Sequence, residues 1–120
     1  MNIYEKIEEI KLENYIIYIY FILLILYLYG NTIEINYLKY QNQEDKEKYR
    51  LILYIVFGTT FIISLYYAID NIKDLQTSNN EEILKLNELS TIANILVLIA
   101  SIIILYIIYI DKDLNLEISP

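Results

Sequence analysis

The chain has 120 residues, of which 57% are hydrophobic and only 2 are glycine and 1 proline, which is not the composition of an ordinary water-soluble domain. Its 16 acidic and 9 basic residues give a net charge of -7, so attraction to phosphates is excluded as a driving force and we expect no nucleic-acid partner. The absence of cysteine and histidine excludes disulfides, imidazole bases and the usual zinc, haem and iron–sulfur ligand sets.

Three windows without any charged residue divide the chain, at 14–33, 51–69 and 89–110. A hydrocarbon core about 30 Å thick needs about 20 apolar helical residues, and each window has that length. The windows do not alternate polar and apolar residues as barrel strands do. The sequence therefore predicts an all-α integral membrane protein with three transmembrane helices. The alternative is a water-soluble bundle with three buried helices.

Residues 1–13 precede the first window and carry two helical repeats, isoleucine on one face and glutamate on another: Ile3, Ile7 and Ile10, and Glu5, Glu9 and Glu13. This pattern predicts an N-terminal amphipathic helical extension. An acidic stripe does not favour binding to anionic lipid. The isoleucine face then serves association with a partner or a second copy, or the segment lies at the headgroups and frays in water.

Tyrosine is abundant near the window ends. Ten of the 14 tyrosines lie there: Tyr15, Tyr18, Tyr20, Tyr27, Tyr29, Tyr54, Tyr66, Tyr67, Tyr106 and Tyr109. An amphipathic ring at that depth keeps its hydroxyl among the headgroups. The pattern favours an interfacial aromatic belt over a ligand-binding cage.

Two polar connections, 34–50 and 70–88, separate the windows, and an acidic tail follows at 111–120. In the second connection Ser78 and Glu81 have the spacing of a capping box, which predicts the start of a helix. No proline or glycine interrupts the chain from there to Ile110. We therefore expect one long third helix, from about Asn79 to Ile110, whose first turns project from the bilayer.

Orientation depends on the basic residues beside the spans. Lys46, Lys48 and Arg50 precede the second window, while Asp70 and Asp74 follow it. Basic flanks favour the cytoplasmic side. We expect a multi-pass protein of a bacterial cell membrane whose first connection is cytoplasmic and whose N-terminus is external.

Small and weakly polar residues are the candidates for helix packing, because lipid gives apolar helices little hydrophobic reason to associate. The candidates lie on the second and third spans: Gly58, Thr60, Ser64, Ala68, Ala93, Asn94, Ala100 and Ser101. Their distribution predicts a tight hairpin of spans two and three, with span one packed more loosely. Two alternatives stay open: hydroxyls that bond to their own helix, and an Asn94 solvated at the interface instead of paired across an axis.

The sequence offers no catalytic constellation. Tyrosine is the one ionisable residue type within the windows, and the carboxylates outside them have the spacing of solvated helix flanks. Only Gly30 and Gly58 are available for a phosphate-binding loop, which needs more glycines. We predict no catalytic, cofactor-binding or metal-binding residue, and no enzyme activity.

The function expected from these features is helix association in a bilayer. The chain would be an accessory, regulatory or protective membrane component, with the lipid bilayer and either a second copy or another membrane protein as partners. The alternative is a holin-like oligomer that permeabilises the membrane, which small size and three spans fit. The acidic C-terminus argues against it, since such tails are often basic.

Overall fold

The computed structural model of the chain describes residues 2–77, 80–112 and 114. These residues form three helices, α1 (Ile3–Tyr40), α2 (Gln43–Thr77) and α3 (Glu81–Ile110), which hold 94% of them, and no strand occurs in this part of the chain. Each helix is long and apolar enough to cross a membrane. The predicted all-α fold with three helices of spanning length is confirmed.

Helix α1 begins at Asn2, whose Oδ1 accepts a hydrogen bond of 2.8 Å from the backbone N–H of Glu5. The helix runs unbroken for 38 residues, about 57 Å at 1.5 Å per residue, and joins the lead-in to the first window. It ends where Gln41 adopts the left-handed conformation (φ 55°) and donates its N–H to the Tyr37 carbonyl. Gln41 and Asn42 are therefore the only non-helical residues of the 34–50 connection.

Helix α3 is capped by Asn80, which is extended and accepts a hydrogen bond of 2.9 Å from the Glu82 N–H through its side chain. The helix then continues without interruption to Ile110. The capping box was predicted two residues earlier, at Ser78, and Ser78 and Asn79 lie outside the described residues. The capping contact that the structure shows belongs to Asn80.

The chain forms two compact units, residues 1–56 and 57–120. The first contains α1 and the start of α2, where Tyr49, Ile52, Leu53 and Val56 are buried at the spacing of one helical face. The second contains the rest of α2 and α3, whose buried side chains include the polar residues Ser64, Thr91 and Ser101. Small polar side chains thus occupy protected positions while many isoleucines and leucines face outward.

Candidate functional site

A hydrogen bond between side chains links α2 to α3: Asn71 Nδ2 donates to Ser90 Oγ at 3.1 Å. Asn71 lies 6 residues before the end of α2 and Ser90 lies 9 residues after the start of α3. Those distances are about 9 and 14 Å along the two helix axes. The two side chains can meet only if α3 runs back along α2, so this part of the chain is an antiparallel helical hairpin.

The hydrogen bond also sets the register of the hairpin. Counting back from Asn71 and forward from Ser90 by equal steps places Thr60 level with Ser101. The same count places Ala68 level with Ala93, one residue before Asn94. The hairpin therefore brings the two predicted groups of packing residues to matching depths.

On α3 the protected residues follow a strict heptad pattern, with alternate steps of three and four. The row consists of Leu84, Asn87, Thr91, Asn94, Leu98, Ser101, Leu105 and Ile108, each buried or half-buried. This is the spacing of residues that pack into the grooves of a neighbouring helix at a small crossing angle. Half of the row is polar, which is unusual for a span and marks it as the candidate packing surface of α3.

The eight predicted packing residues differ in their exposure. Three are buried, three are half-buried and two are exposed: Ser64, Ala68 and Ser101; Gly58, Thr60 and Asn94; Ala93 and Ala100. On α3 each predicted pair is divided, since Asn94 and Ser101 lie in the protected row and their neighbours point away. The heptad spacing separates them, a signal that the count of small residues does not carry.

Two hydroxyls of the α3 row are bonded within their own helix. Thr91 Oγ1 donates to the Asn87 carbonyl at 2.7 Å, and Ser101 Oγ donates to the Val97 carbonyl at 3.0 Å. This is the alternative that the sequence left open for serine and threonine in a span. A hydroxyl satisfied in this way can be buried against a neighbour without an unmet hydrogen bond.

A close approach in the first unit was missed by the sequence reasoning. A Cβ added to Gly30 of α1 would lie 3.0 Å from Ile52 Cγ2 and 3.6 Å from Tyr49 Cδ1 of α2. Glycine inside a helix is unfavourable by about 1 kcal/mol relative to alanine, so a lone glycine in an apolar span is itself a signal of such contact. At Gly58, which was predicted to pack, an added Cβ would meet no atom within 4 Å among the described residues.

The start of the second window carries an arginine beside an aromatic ring. The Arg50 guanidinium carbon lies 5.9 Å from the centre of the Tyr54 ring, one helical turn further along α2, and both side chains are half-buried. Seven of the ten tyrosines near the window ends are exposed, as residues in contact with headgroups would be.

Two carboxylates follow the second window on one face of α2. Burial raises the pKa of Asp74 above its ordinary 3.8, and the neighbouring negative charge of Asp70 raises it further. The two residues are one turn apart, so each stands in the other's field. This end of the hairpin therefore holds its negative charge at an electrostatic cost.

The comparisons with known proteins add no relative to this geometry. No family model, no curated protein and no solved structure matches the chain. The packing rows, the register and the charge distribution are therefore the observations from which a function is argued.

Proposed function

We propose that this protein is an integral membrane protein with three spans that acts through helix association as an accessory, regulatory or protective component. The observation that carries the proposal is the distribution of side chains over the three helices. Large apolar residues are exposed on every helix, while Ser64, Thr91 and Ser101 are among the buried ones. This arrangement is the reverse of the one that water favours.

The apolar windows are mostly uncovered by the chain itself. Of the most apolar stretch of each helix, only 22%, 39% and 17% of the residues in α1, α2 and α3 are buried. A fold in water would gain about 25 cal/mol for each Å² of apolar surface that it covered, so this much exposed isoleucine and leucine requires another solvent. A bilayer is that solvent, and small polar residues between helices are typical of packing within it.

The proposed placement puts residues 14–33, 51–69 and 89–110 in the hydrocarbon core. Helix α1 is then about 27 Å longer than a core of about 30 Å, so it emerges on both sides. Its first turns form the amphipathic extension, and the first turns of α3 form a stem that projects from the bilayer. Arg50 and Tyr54 anchor the second span at the headgroups. The basic residues around Arg50 assign the first connection to the cytoplasmic side of a bacterial cell membrane.

Helix association without catalysis is supported by the chemistry of the packing row. The Thr91 and Ser101 hydroxyl protons are engaged with backbone carbonyls, whereas a nucleophilic hydroxyl needs a base as its partner. Proton-coupled carriers and voltage sensors depend on ionisable groups within the bilayer. Here all Asp, Glu, Lys and Arg residues lie outside the three windows.

The test has a membrane step and an association step. Alkaline carbonate extraction of expressed protein is expected to leave it in the membrane pellet. Purification in a mild detergent is then expected to recover it with a second copy or another membrane protein. Release into the carbonate supernatant, or recovery of a monomer alone, would reject the proposal.

A matched pair of variants tests the role of the α3 row. Ser101→Leu places a large side chain at a buried position, and Ala100→Leu places the same side chain at the exposed neighbour. We expect Ser101→Leu to reduce the recovered complex and Ala100→Leu to leave it unchanged. Equal effects would remove the row from the proposal.

Membrane potential separates an accessory role from the holin-like alternative. A voltage-sensitive dye is followed during induced expression, beside an inactive membrane protein at the same level. A stable potential is expected. Rapid depolarisation specific to this protein would replace the proposal with membrane permeabilisation.

A further inference from the structure

The face of α1 turned away from its buried residues carries an unbroken heptad seam. Ile3, Ile7, Ile10, Asn14 and Ile17 begin it, and the same alternating steps of four and three continue it to Leu28. Every position of the seam is exposed. The buried residues Ile16, Leu23, Gly30 and Tyr37 of the same helix lie about half a turn away.

The part of the seam before Asn14 carries the most information. In the first window every row is apolar, whereas residues 3–13 include six charged side chains and none of them falls on the seam. Ile3, Ile7 and Ile10 are 75%, 43% and 48% exposed. An apolar row kept clear of charge in a charged segment, continuous in register with a spanning helix for more than three heptads, is the pattern of a coiled-coil surface.

We propose that α1 pairs in parallel with α1 of a second copy of this chain through the seam, with the two Asn14 side chains facing each other. This inference rests on the proposed function, because it names the partner of the helix association. Copies that insert by the same route have the same direction across the membrane, so equal positions of the seam meet. The asparagine amide carries both a donor and an acceptor, so two copies satisfy each other, and a single asparagine in such a seam fixes register and copy number.

The charges beside the seam make the geometry testable. Lys6 precedes Ile7 and Lys11 follows Ile10, so in a parallel pair Lys6 of one copy lies against Lys11 of the other. Lys11 also lies 3.5 Å from the Glu8 carboxylate of its own helix, an exposed ion pair of small effect. Lys6→Glu would turn the contact between copies into an attractive one. We therefore expect Lys6→Glu to increase pairing, an outcome that pairing through the opposite face of α1 does not produce.

Cysteine scanning of the full chain in its membrane tests the seam, because the natural sequence contains no cysteine. Ile7→Cys and Ile10→Cys place thiols on the seam, and Glu5→Cys and Leu12→Cys place them on the outer side of the same turns. After oxidation with copper phenanthroline, we expect most of the seam variants and only a trace of the control variants as disulfide-linked dimer. Two cysteines join only when their Cα atoms lie within about 7 Å.

Two second-site variants sharpen the test in the Ile10→Cys background. Lys6→Glu is expected to raise the dimer fraction, and Asn14→Asp is expected to lower it because two carboxylates would meet. Dimer formed equally at all four cysteine positions, or at none of them, would overturn the inference.

The failure of the seam is distinguishable from the failure of the proposed function. A carbonate-resistant protein that co-purifies with a partner but forms no seam disulfide would retain the function and reject the seam. A protein released by carbonate, or recovered alone without any disulfide, would reject both.

Discussion

The amide of Asn71 donates a hydrogen bond of 3.1 Å to the hydroxyl of Ser90, 19 residues later in the chain. This contact fixes how far α3 is shifted along α2, and so decides which side chains share a depth in the hairpin. Because both residues are exposed, the bond competes with water, and its contribution to stability is modest.

A double-mutant cycle measures this contribution. We expect Asn71→Ala and Ser90→Ala each to lower the free energy of unfolding by about 0.5–1 kcal/mol. The double variant is expected to be less destabilised than the sum of the two by about 0.6 kcal/mol, because either single change already breaks the bond. Unfolding in detergent micelles followed by circular dichroism gives the four values. Strictly additive losses would show that the bond does not couple the helices.

The two glycines provide a matched comparison of helix contacts. Gly58→Ala is expected to raise the free energy of unfolding by about 0.5–1 kcal/mol, since it improves helix propensity without a neighbour to displace. Gly30→Ala meets Ile52 Cγ2 at 3.0 Å, so we expect it to be less stable than Gly58→Ala by about 1 kcal/mol or more. Thermal unfolding of both variants checks the order. Adding Ile52→Ala to Gly30→Ala should remove the clash, and an unchanged penalty from the methyl group would contradict it.

The start of α3 allows a test of the observed cap. Asn80→Ala removes the side-chain acceptor of the Glu82 N–H and is expected to lower the free energy of unfolding by about 1 kcal/mol. Asn80→Asp keeps an acceptor and should retain most of the stability. Ser78→Ala is the control that the sequence prediction suggests, and it should change little. A larger effect at Ser78 than at Asn80 would restore the predicted capping box.

Asp74 gives the fold a pH dependence of known sign. Its pKa in the folded chain is raised above 3.8, so the folded state holds this proton more tightly than the unfolded state does. The contribution of Asp74 to stability therefore falls as pH rises from about 4 through the raised pKa, and stays at its lower value above it. We expect Asp74→Asn to unfold at a higher temperature than the natural protein near neutral pH, with a smaller difference in acid.

Asp70→Asn is the matched control for this titration. It removes the neighbouring charge and leaves the burial of Asp74, so we expect it to recover only part of the effect. A difference between natural protein and Asp74→Asn that does not vary with pH would contradict the assignment.

The sequence predicted the helical class and the three helices of spanning length because charge segregation reports the solvent that each segment requires. It did not predict how the small residues divide between faces. Ala100 and Ser101 look alike in a list of small residues, yet only Ser101 falls in the heptad row of α3. The contact of Gly30 with Ile52 was also missed, since α1 carries no repeated small residue beside it. Contacts between helices depend on register, and register here rests on single residues such as Asn71.

The two-residue link formed by Gln41 and Asn42 has a consequence for how the chain enters a membrane. Helices α1 and α2 are separated by so short a turn that neither can settle across the bilayer while the other waits in water. Gly30, 10 residues before the end of α1, already contacts Ile52, 9 residues after the start of α2. The first two spans are therefore expected to insert together during synthesis, as a preformed pair, and the third to join them afterwards.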